Sequence, residues 1–268
     1  MKKKKKICIV SQFPPPVSGL TKAVETLYNS YLKQEFDFEM IDIKNNKKIL
    51  FTILKLFKSD ADLFYFTISQ SKWGNWRDLL IMKLLNIRKK KCLIHLHGGY
   101  YRTLIEKYCG KLQKKLNYSA IKRLNGVIVL SDGLKNAFNG MIDGNKIFIV
   151  PNCVEDKFLI SKEDLKIKLD TISNKNVFNV LYLSNFIESK GYKEVLHLAK
   201  ITKDNNIRNL QFKFAGKFFD EKEKKFFDSY VKENQLEELV QYKGAVYGQD
   251  KIKLLNECDI FILLSRNE

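Results

Sequence analysis

The run Phe178-Asn179-Val180-Leu181-Tyr182-Leu183-Ser184-Asn185-Phe186-Ile187-Glu188-Ser189-Lys190-Gly191-Tyr192 decides the fold. Val180 to Leu183 are apolar on consecutive positions, as in a strand buried on both faces of a parallel sheet. A polar loop with one lysine follows, and Gly191 opens a helical stretch over 192–203. Lys190 stands beside a helix N-terminus, where free N–H groups and the macrodipole favour an anion, so the turn suits a diphosphate. A solvated surface lysine is the competing reading in a chain with 42 lysines.

The same strand–loop–helix unit recurs on both sides. Strands are expected at 6–11, 38–43, 63–68, 92–97, 126–130 and 147–150, then at 178–184, 210–215, 239–243 and 259–264. Helical patterns lie near 20–33, 73–86, 102–123, 192–203, 220–234 and 249–257. Such alternation predicts doubly wound α/β architecture. The segment 155–176 has no strong strand and is polar at 161–170 and 173–176. It separates an N-terminal Rossmann-like domain, 1–165, from a C-terminal one, 175–268. Two such domains are expected to face a cleft at the carboxyl ends of their strands, where α/β sheets bind ligands.

Three more segments carry candidate chemistry. The turn Ser11–Leu20 holds three of the four prolines, Pro14, Pro15 and Pro16. Ser18 can cap the next helix, and Gly19 would let a phosphate or sugar approach backbone N–H groups. It is neither G-x-G-x-x-G nor a P-loop, and a plain rigid turn is an equal reading. His95-Leu96-His97-Gly98-Gly99 ends the fourth strand, and alternation puts both histidines on one face. His97, followed by two glycines, is the functional candidate and His95 the structural one. The last strand leads into Ser265-Arg266-Asn267-Glu268. Asp60-Ala61-Asp62 precedes a strand and reads as a turn, not as a metal-binding pair.

Composition narrows the class. The 268 residues are 45% hydrophobic and 29% charged, which excludes a disordered chain and leaves room for two domains. The net charge is +18, and residues 1–150 carry 28 basic against 11 acidic side chains, residues 151–268 20 against 19. Only 6 of the 48 basic residues are Arg. That suits a diffuse anionic surface better than bidentate reading of bases, although AT-rich codon usage accounts for most of the ratio; with no recognisable reading motif either, no nucleic-acid partner is expected. Five scattered cysteines with no C-x-x-C pair point to a reducing compartment. The apolar run behind Met1–Lys6 is too short for an export signal, and no stretch reaches the length of a membrane span. A cytoplasmic protein is expected.

In order along the chain, these segments resemble family 4 of the retaining glycosyltransferases, which have the GT-B fold. The Pro-rich turn to Gly19 resembles the family's first glycine loop, and 95–99 its strand-four His–Gly. Val129-Leu130-Ser131 and Val150-Pro151-Asn152-Cys153-Val154 resemble its serine and Pro-Asn-Gly-Val signatures, and 184–191 its donor loop. Lys243–Gly248 and Asp259–Glu268 resemble the approach to a motif of two glutamates seven residues apart. Ser184-Asn185 stand where Gly-Arg is usual, and Cys153 replaces a glycine. Glu268 matches the first glutamate of the pair. The resemblance therefore implies a chain truncated within the second domain, by roughly the last quarter of a typical member.

The activity implied is transfer of a sugar from a nucleotide-diphosphate sugar to an acceptor hydroxyl with retention. No cofactor and no metal are expected. Negative charge on the leaving diphosphate would be met by Lys190 and the helix start at Gly191, with Gly19, Asn185, Val246 and Glu268 also on the donor. Ser18, Gly19, His97 and Gly98 would attend the acceptor, and Glu268 the hydroxyls of the transferred sugar. The basic N-terminal half suggests a lipid-linked saccharide acceptor of bacterial polysaccharide synthesis, reached at an anionic inner leaflet. The stretch from Lys72 and Trp73 through Trp76 to Lys91 would touch that membrane, a core-packed helix being the equal alternative. Competing classes are a non-catalytic remnant of such an enzyme and, less favoured, a basic nucleic-acid-binding protein.

Overall fold

The computed structural model describes residues 4–266. The expectation for Glu268 falls outside them. The chain divides into two compact units, Met1–Cys153 and Val154–Glu268.

The first unit is built on β1 (Lys5–Ser11), β2 (Phe36–Asp42), β3 (Leu63–Thr67), β4 (Lys91–Leu96), β5 (Gly126–Val129) and β6 (Ile147–Ile149). All pair in parallel, in the order β2-β1-β3-β4-β5-β6. The register sets Val10 beside Ile41 and Phe66. Alternation along β1 splits the core. Cys8 and Val10 join a cluster with Leu56, Met82 and Ile121 on one face. Ile9 joins Val24 and Tyr65 on the other. The helices are α1 (Gly19–Asn29), α2 (Ile49–Lys58), α3 (Lys72–Ile87), the short α4 (Tyr101–Thr103) and α5 (Lys111–Lys122). Helix α1 covers the Ile9 face. Leu56 of α2, Met82 of α3 and Ile121 of α5 cover the opposite one. Asp60 and Asp62 form the expected turn before β3, Asp62 accepting from the Lys6 N–H at 2.8 Å.

The second unit has β7 (Phe178–Leu183), β8 (Leu210–Ala215), β9 (Val240–Tyr242) and β10 (Ile260–Phe261), parallel in the order β10-β7-β8-β9. Its helices are α6 (Lys162–Ile172), α7 (Tyr192–Asp204), α8 (Glu221–Glu233) and α9 (Gly248–Glu257). Val180, Tyr182, Phe212 and Phe214 face α7 and α8. Leu181 and Ala215 face α9 through Leu254 and Cys258.

The ten strands among the described residues lie where hydrophobic runs place them. Two helices, α2 and α6, have no counterpart in the sequence reading. Helix α2 (Ile-Leu-Phe-Thr-Ile-Leu-Lys-Leu-Phe-Lys) is a short, mostly apolar run broken by Thr52, Lys55 and Lys58, too short for its period to tell it from a buried strand. The expected boundary, between 165 and 175, also differs from the division after Cys153. Helix α6 belongs to the second unit because Lys168 Nζ donates to Asn256 O at 2.9 Å. Just past it, Lys175 Nζ bonds Asp259 Oδ1 at 2.7 Å.

Candidate functional site

Each sheet reverses its strand order at one place, and α/β sheets as a class bind ligands at the carboxyl ends of the strands there. In the first sheet this lies between β1 and β3, in the second between β7 and β10. The candidate residues gather at these two edges, one in each unit.

In the first unit, Ser11 and Thr67 end β1 and β3 and share a buried hydrogen bond of 2.6 Å. Beyond Ser11 the Pro-rich turn leads to Ser18, the N-cap of α1. Its hydroxyl accepts from the Thr21 N–H at 3.2 Å, while the Ser18 N–H donates to Thr21 Oγ1 at 2.8 Å. Gly19 stands in open space, and a Cβ there would meet nothing within 4 Å.

His95 and His97 project from the same face of β4 and its end, with ring centroids 3.9 Å apart. Tyr65 Oη and His95 Nδ1 are 2.5 Å apart, so His95 has a protein partner. The Nε2 atoms of both histidines are buried without one among the described residues. Burial pushes the His97 pKa down to about 4. Burial and then the His97 charge push His95 down to about 3. Both rings are therefore neutral at physiological pH. Leaving a buried polar nitrogen unmatched costs about 1–3 kcal/mol, and no protein group among the described residues offsets this at His97 Nε2.

Gln70 was not singled out by the sequence reading. It clamps the loop after His97: its Nε2 donates to His97 O at 2.7 Å and its Oε1 accepts from the Tyr100 N–H at 2.7 Å. Gly98 has φ +127°, and a Cβ would stand 2.6 Å from Gln70 Nε2. Gly98 thus serves the clamp as well as the edge.

In the second unit, the loop 184–190 leaves β7 and is anchored by Phe186. That ring is fully buried. It packs 4.3 Å from Phe218, 5.2 Å from Tyr192 and 5.4 Å from Phe227, centroid to centroid. Asn185 is exposed, and its carbonyl accepts from Tyr182 Oη at 3.0 Å. Its side-chain Oδ1 accepts from the Lys217 N–H at 3.4 Å and so ties this loop to the one after β8. Lys190 is half-buried and ends the turn Glu188–Lys190. Gly191 caps α7 with φ +76°, and a Cβ would lie 2.1 Å from Leu264 O. No other residue type fits there, so the glycine is fixed by backbone packing whatever it also offers a ligand. Val246 is half-buried against the Leu254–Cys258 cluster.

Arg266 also went unassigned from sequence, because 76 residues separate it from Lys190. Its backbone N–H donates to Ser189 O at 2.9 Å, and its Nη2 donates to Glu194 Oε1 at 2.5 Å. This bond holds the Glu194 carboxyl below its usual range. The segment behind β10 thus locks onto the Lys190 turn at the switch point. Glu268 lies outside the described residues. Among the described residues no three His, Cys, Asp or Glu stand together as metal ligands. No described helix is long and apolar enough to cross a membrane.

Comparison with known proteins agrees with this architecture. Residues 163–268 match the family described as glycosyl transferases group 1. No curated protein matches significantly. HepE of Anabaena, crystallised with UDP, superposes with a TM-score of 0.68 at 16% identity, covering 96% of this chain and 73% of that one. A second HepE crystal, with UDP-glucose, gives 0.64, also at 16% identity, over 97% and 74%. Sucrose-phosphate synthase of Thermosynechococcus elongatus gives 0.66 at 13% identity, over 98% and 76%. The fold is the GT-B arrangement of two Rossmann-like sheets, and the second unit carries the match to glycosyl transferases group 1.

Proposed function

We propose that the chain is a glycosyltransferase that moves a sugar from a nucleotide-diphosphate donor to an acceptor hydroxyl with retention of configuration. The observation that carries this is the family match over 163–268 falling on the unit whose switch point holds the Lys190–Gly191 turn. HepE, crystallised with UDP and with UDP-glucose, supports a nucleotide-sugar donor.

In this reading the diphosphate lies at the start of α7. The amides after Gly191 and the Lys190 ammonium meet the charge that grows on the leaving group as the glycosidic bond stretches. Asn185 holds the neighbouring loop in place, and Val246 offers an apolar surface. Glu268 hydrogen-bonds hydroxyls of the transferred sugar. In the first unit, the small residues Ser18, Gly19 and Gly98 leave room for the acceptor beside the start of α1 and the end of β4. Neutral His97 orients a hydroxyl through its unmatched Nε2. The acceptor is a lipid-linked saccharide of bacterial surface-polysaccharide assembly, taken up at an anionic inner leaflet, with no metal or nucleic acid required.

Calorimetric titration with UDP and ADP tests the donor half. One of them should bind, and Lys190→Ala should weaken it by about tenfold or more, as expected for a charge-assisted contact to phosphate. Failure of both to bind, or unchanged affinity in the variant, would sink the assignment of the Lys190 turn.

A further inference from the structure

Helices α2, α3 and α5 lie side by side over one face of the first sheet, α2 against α3 and α3 against α5. Their inner sides fill the core through Leu56, Met82 and Ile121. A buried polar row joins α3 to α5: Asn75 Nδ2 donates to Asn117 Oδ1 at 2.8 Å, and Gln113 Nε2 to Asn75 Oδ1 at 2.8 Å. The layer is therefore firmly seated, and its outer side should be polar.

It is not. On α2, Leu50, Phe51, Leu54 and Phe57 form one outward stripe, exposed by 76, 57, 57 and 61%. The α3 stripe adds Trp73, 79% exposed, with Trp76, Leu80 and Ile87 on the same side, and α5 adds Leu112, 66% exposed. Between α3 and α5 runs a groove of about 370 Å³ whose lining includes Trp76, Leu80 and Leu116 with Lys83 and Arg123. Exposed apolar surface continuous over three helices marks a contact face.

The charge around it says what it contacts. Segments 44–58, 72–91 and 111–123 contain 17 Lys or Arg and one acidic residue, Asp78. Asp78 is buried and bound to Arg77 at 2.8 Å, and Glu106, from outside these segments, pairs with Lys114 of α5. These helices hold nearly all the excess of the first 150 residues. Lys55 Nζ sits 4.7 Å over the Phe51 ring and the Arg88 guanidinium 5.3 Å over Phe57, so cations interleave with the aromatic stripe. A water-soluble protein partner would have to match a strongly basic surround and an apolar floor together. An anionic bilayer offers both, as headgroup phosphates above acyl chains.

We infer that the α2–α3–α5 layer is an interfacial membrane-docking surface, with α2 lying in the plane of an anionic leaflet and Trp73 at headgroup depth. This deepens the reading of a membrane-borne acceptor and rests on it for its purpose. Its test does not need the donor. The contact is also larger than the α3 stretch that the sequence suggests, and α2 is its centre.

Both tryptophans, Trp73 and Trp76, lie in this layer, so native fluorescence reports on it alone. The full chain is mixed with phosphatidylcholine vesicles, with and without phosphatidylglycerol. Anionic vesicles should bind at least about tenfold more strongly and shift the Trp emission to the blue. The double variant Phe51→Glu/Leu54→Glu changes two exposed positions, should keep the melting temperature, and should lose about tenfold or more of the binding. Phe219→Glu, on an exposed residue of the second unit, should lose none. Equal binding to neutral vesicles, absence of the blue shift, or undiminished binding of the double variant would overturn the inference. So would size-exclusion evidence that the double variant breaks a dimer while vesicles do not bind, which would make the face a contact between copies. Vesicle binding by a chain that binds neither UDP nor ADP would leave this inference standing and remove the proposed function.

Discussion

The two units follow one plan but secure their switch-point edges by different physics. In the second, the loop after β7 is nailed down by an aromatic cluster around Phe186 and by a glycine wedged against Leu264. In the first, the edge is held by polar clamps, with Gln70 gripping the His97 loop, and Gly19 stands in empty space. The lesson is that a rigid edge can be set by shape or by hydrogen bonding, and substitutions should separate the two. Shape-held positions should cost stability when changed. Edge positions left open should cost only function.

The largest effect is expected at Phe186. Removing a fully buried ring from the centre of its cluster should destabilise the second unit by about 4 kcal/mol in Phe186→Ala. Chemical denaturation followed by circular dichroism checks this. A loss near 1 kcal/mol would show that the cluster closes the gap and that the loop is not anchored by the ring. Gly191→Ala comes next. Left-handed backbone costs an alanine about 1 kcal/mol, and the approach to Leu264 O adds about 2 kcal/mol of overpacking. Unchanged stability in this variant would mean that the 264–266 segment gives way easily, and the shape-held description of the second edge would fail.

The strands were legible because burial on both faces writes them as short apolar runs, as in Val180–Leu183 and Cys92–Leu96. Loops that leave those strands were legible for the same reason, since a Rossmann-like sheet has only one useful edge. Helix α2 was not, because a ten-residue, mostly apolar run reads as readily as a buried strand, and four of its apolar side chains, Leu50, Phe51, Leu54 and Phe57, face solvent instead of a core. Gln70 and Arg266 were not, because each acts on backbone far away in sequence and no local pattern announces it. Gly191 shows how two demands can fall on one residue. Its place at a helix start suggests phosphate binding, and packing against Leu264 independently demands a glycine there.

The histidines of the first edge should reveal themselves by pH. Both have folded pKa values, about 4 for His97 and about 3 for His95, below the unfolded value of 6.5. The unfolded chain therefore binds more protons between these limits. The first unit is fully stabilised above pH 6.5, and stability falls as the pH drops toward 4. By pH 5 the loss should be on the order of 2 kcal/mol for each ring. Trp emission follows this unit, since both tryptophans belong to it. His97→Gln should make the fall shallower by about half. A flat stability between pH 7 and 5 would mean that the rings are solvated and that His97 Nε2 is not waiting for a ligand.

Gly19 should give the smallest change in stability and so the clearest reading of function. Its Cβ would meet nothing, and it opens α1 with an ordinary helical turn already capped by Ser18. Gly19→Ala should thus be neutral or stabilising by roughly 0.5 kcal/mol, because alanine restricts the unfolded chain. If a ligand uses the space beside this glycine, the methyl group blocks it, and transfer should fall while the melting curve does not. Unchanged transfer with unchanged stability would show that the Pro-rich turn is only a turn. A fall in both would mean that the loop is held by shape after all, and the contrast between the two edges would disappear. The paired measurement on Gly19→Ala and Gly191→Ala is therefore the one that separates a glycine kept for the fold from a glycine kept for the ligand.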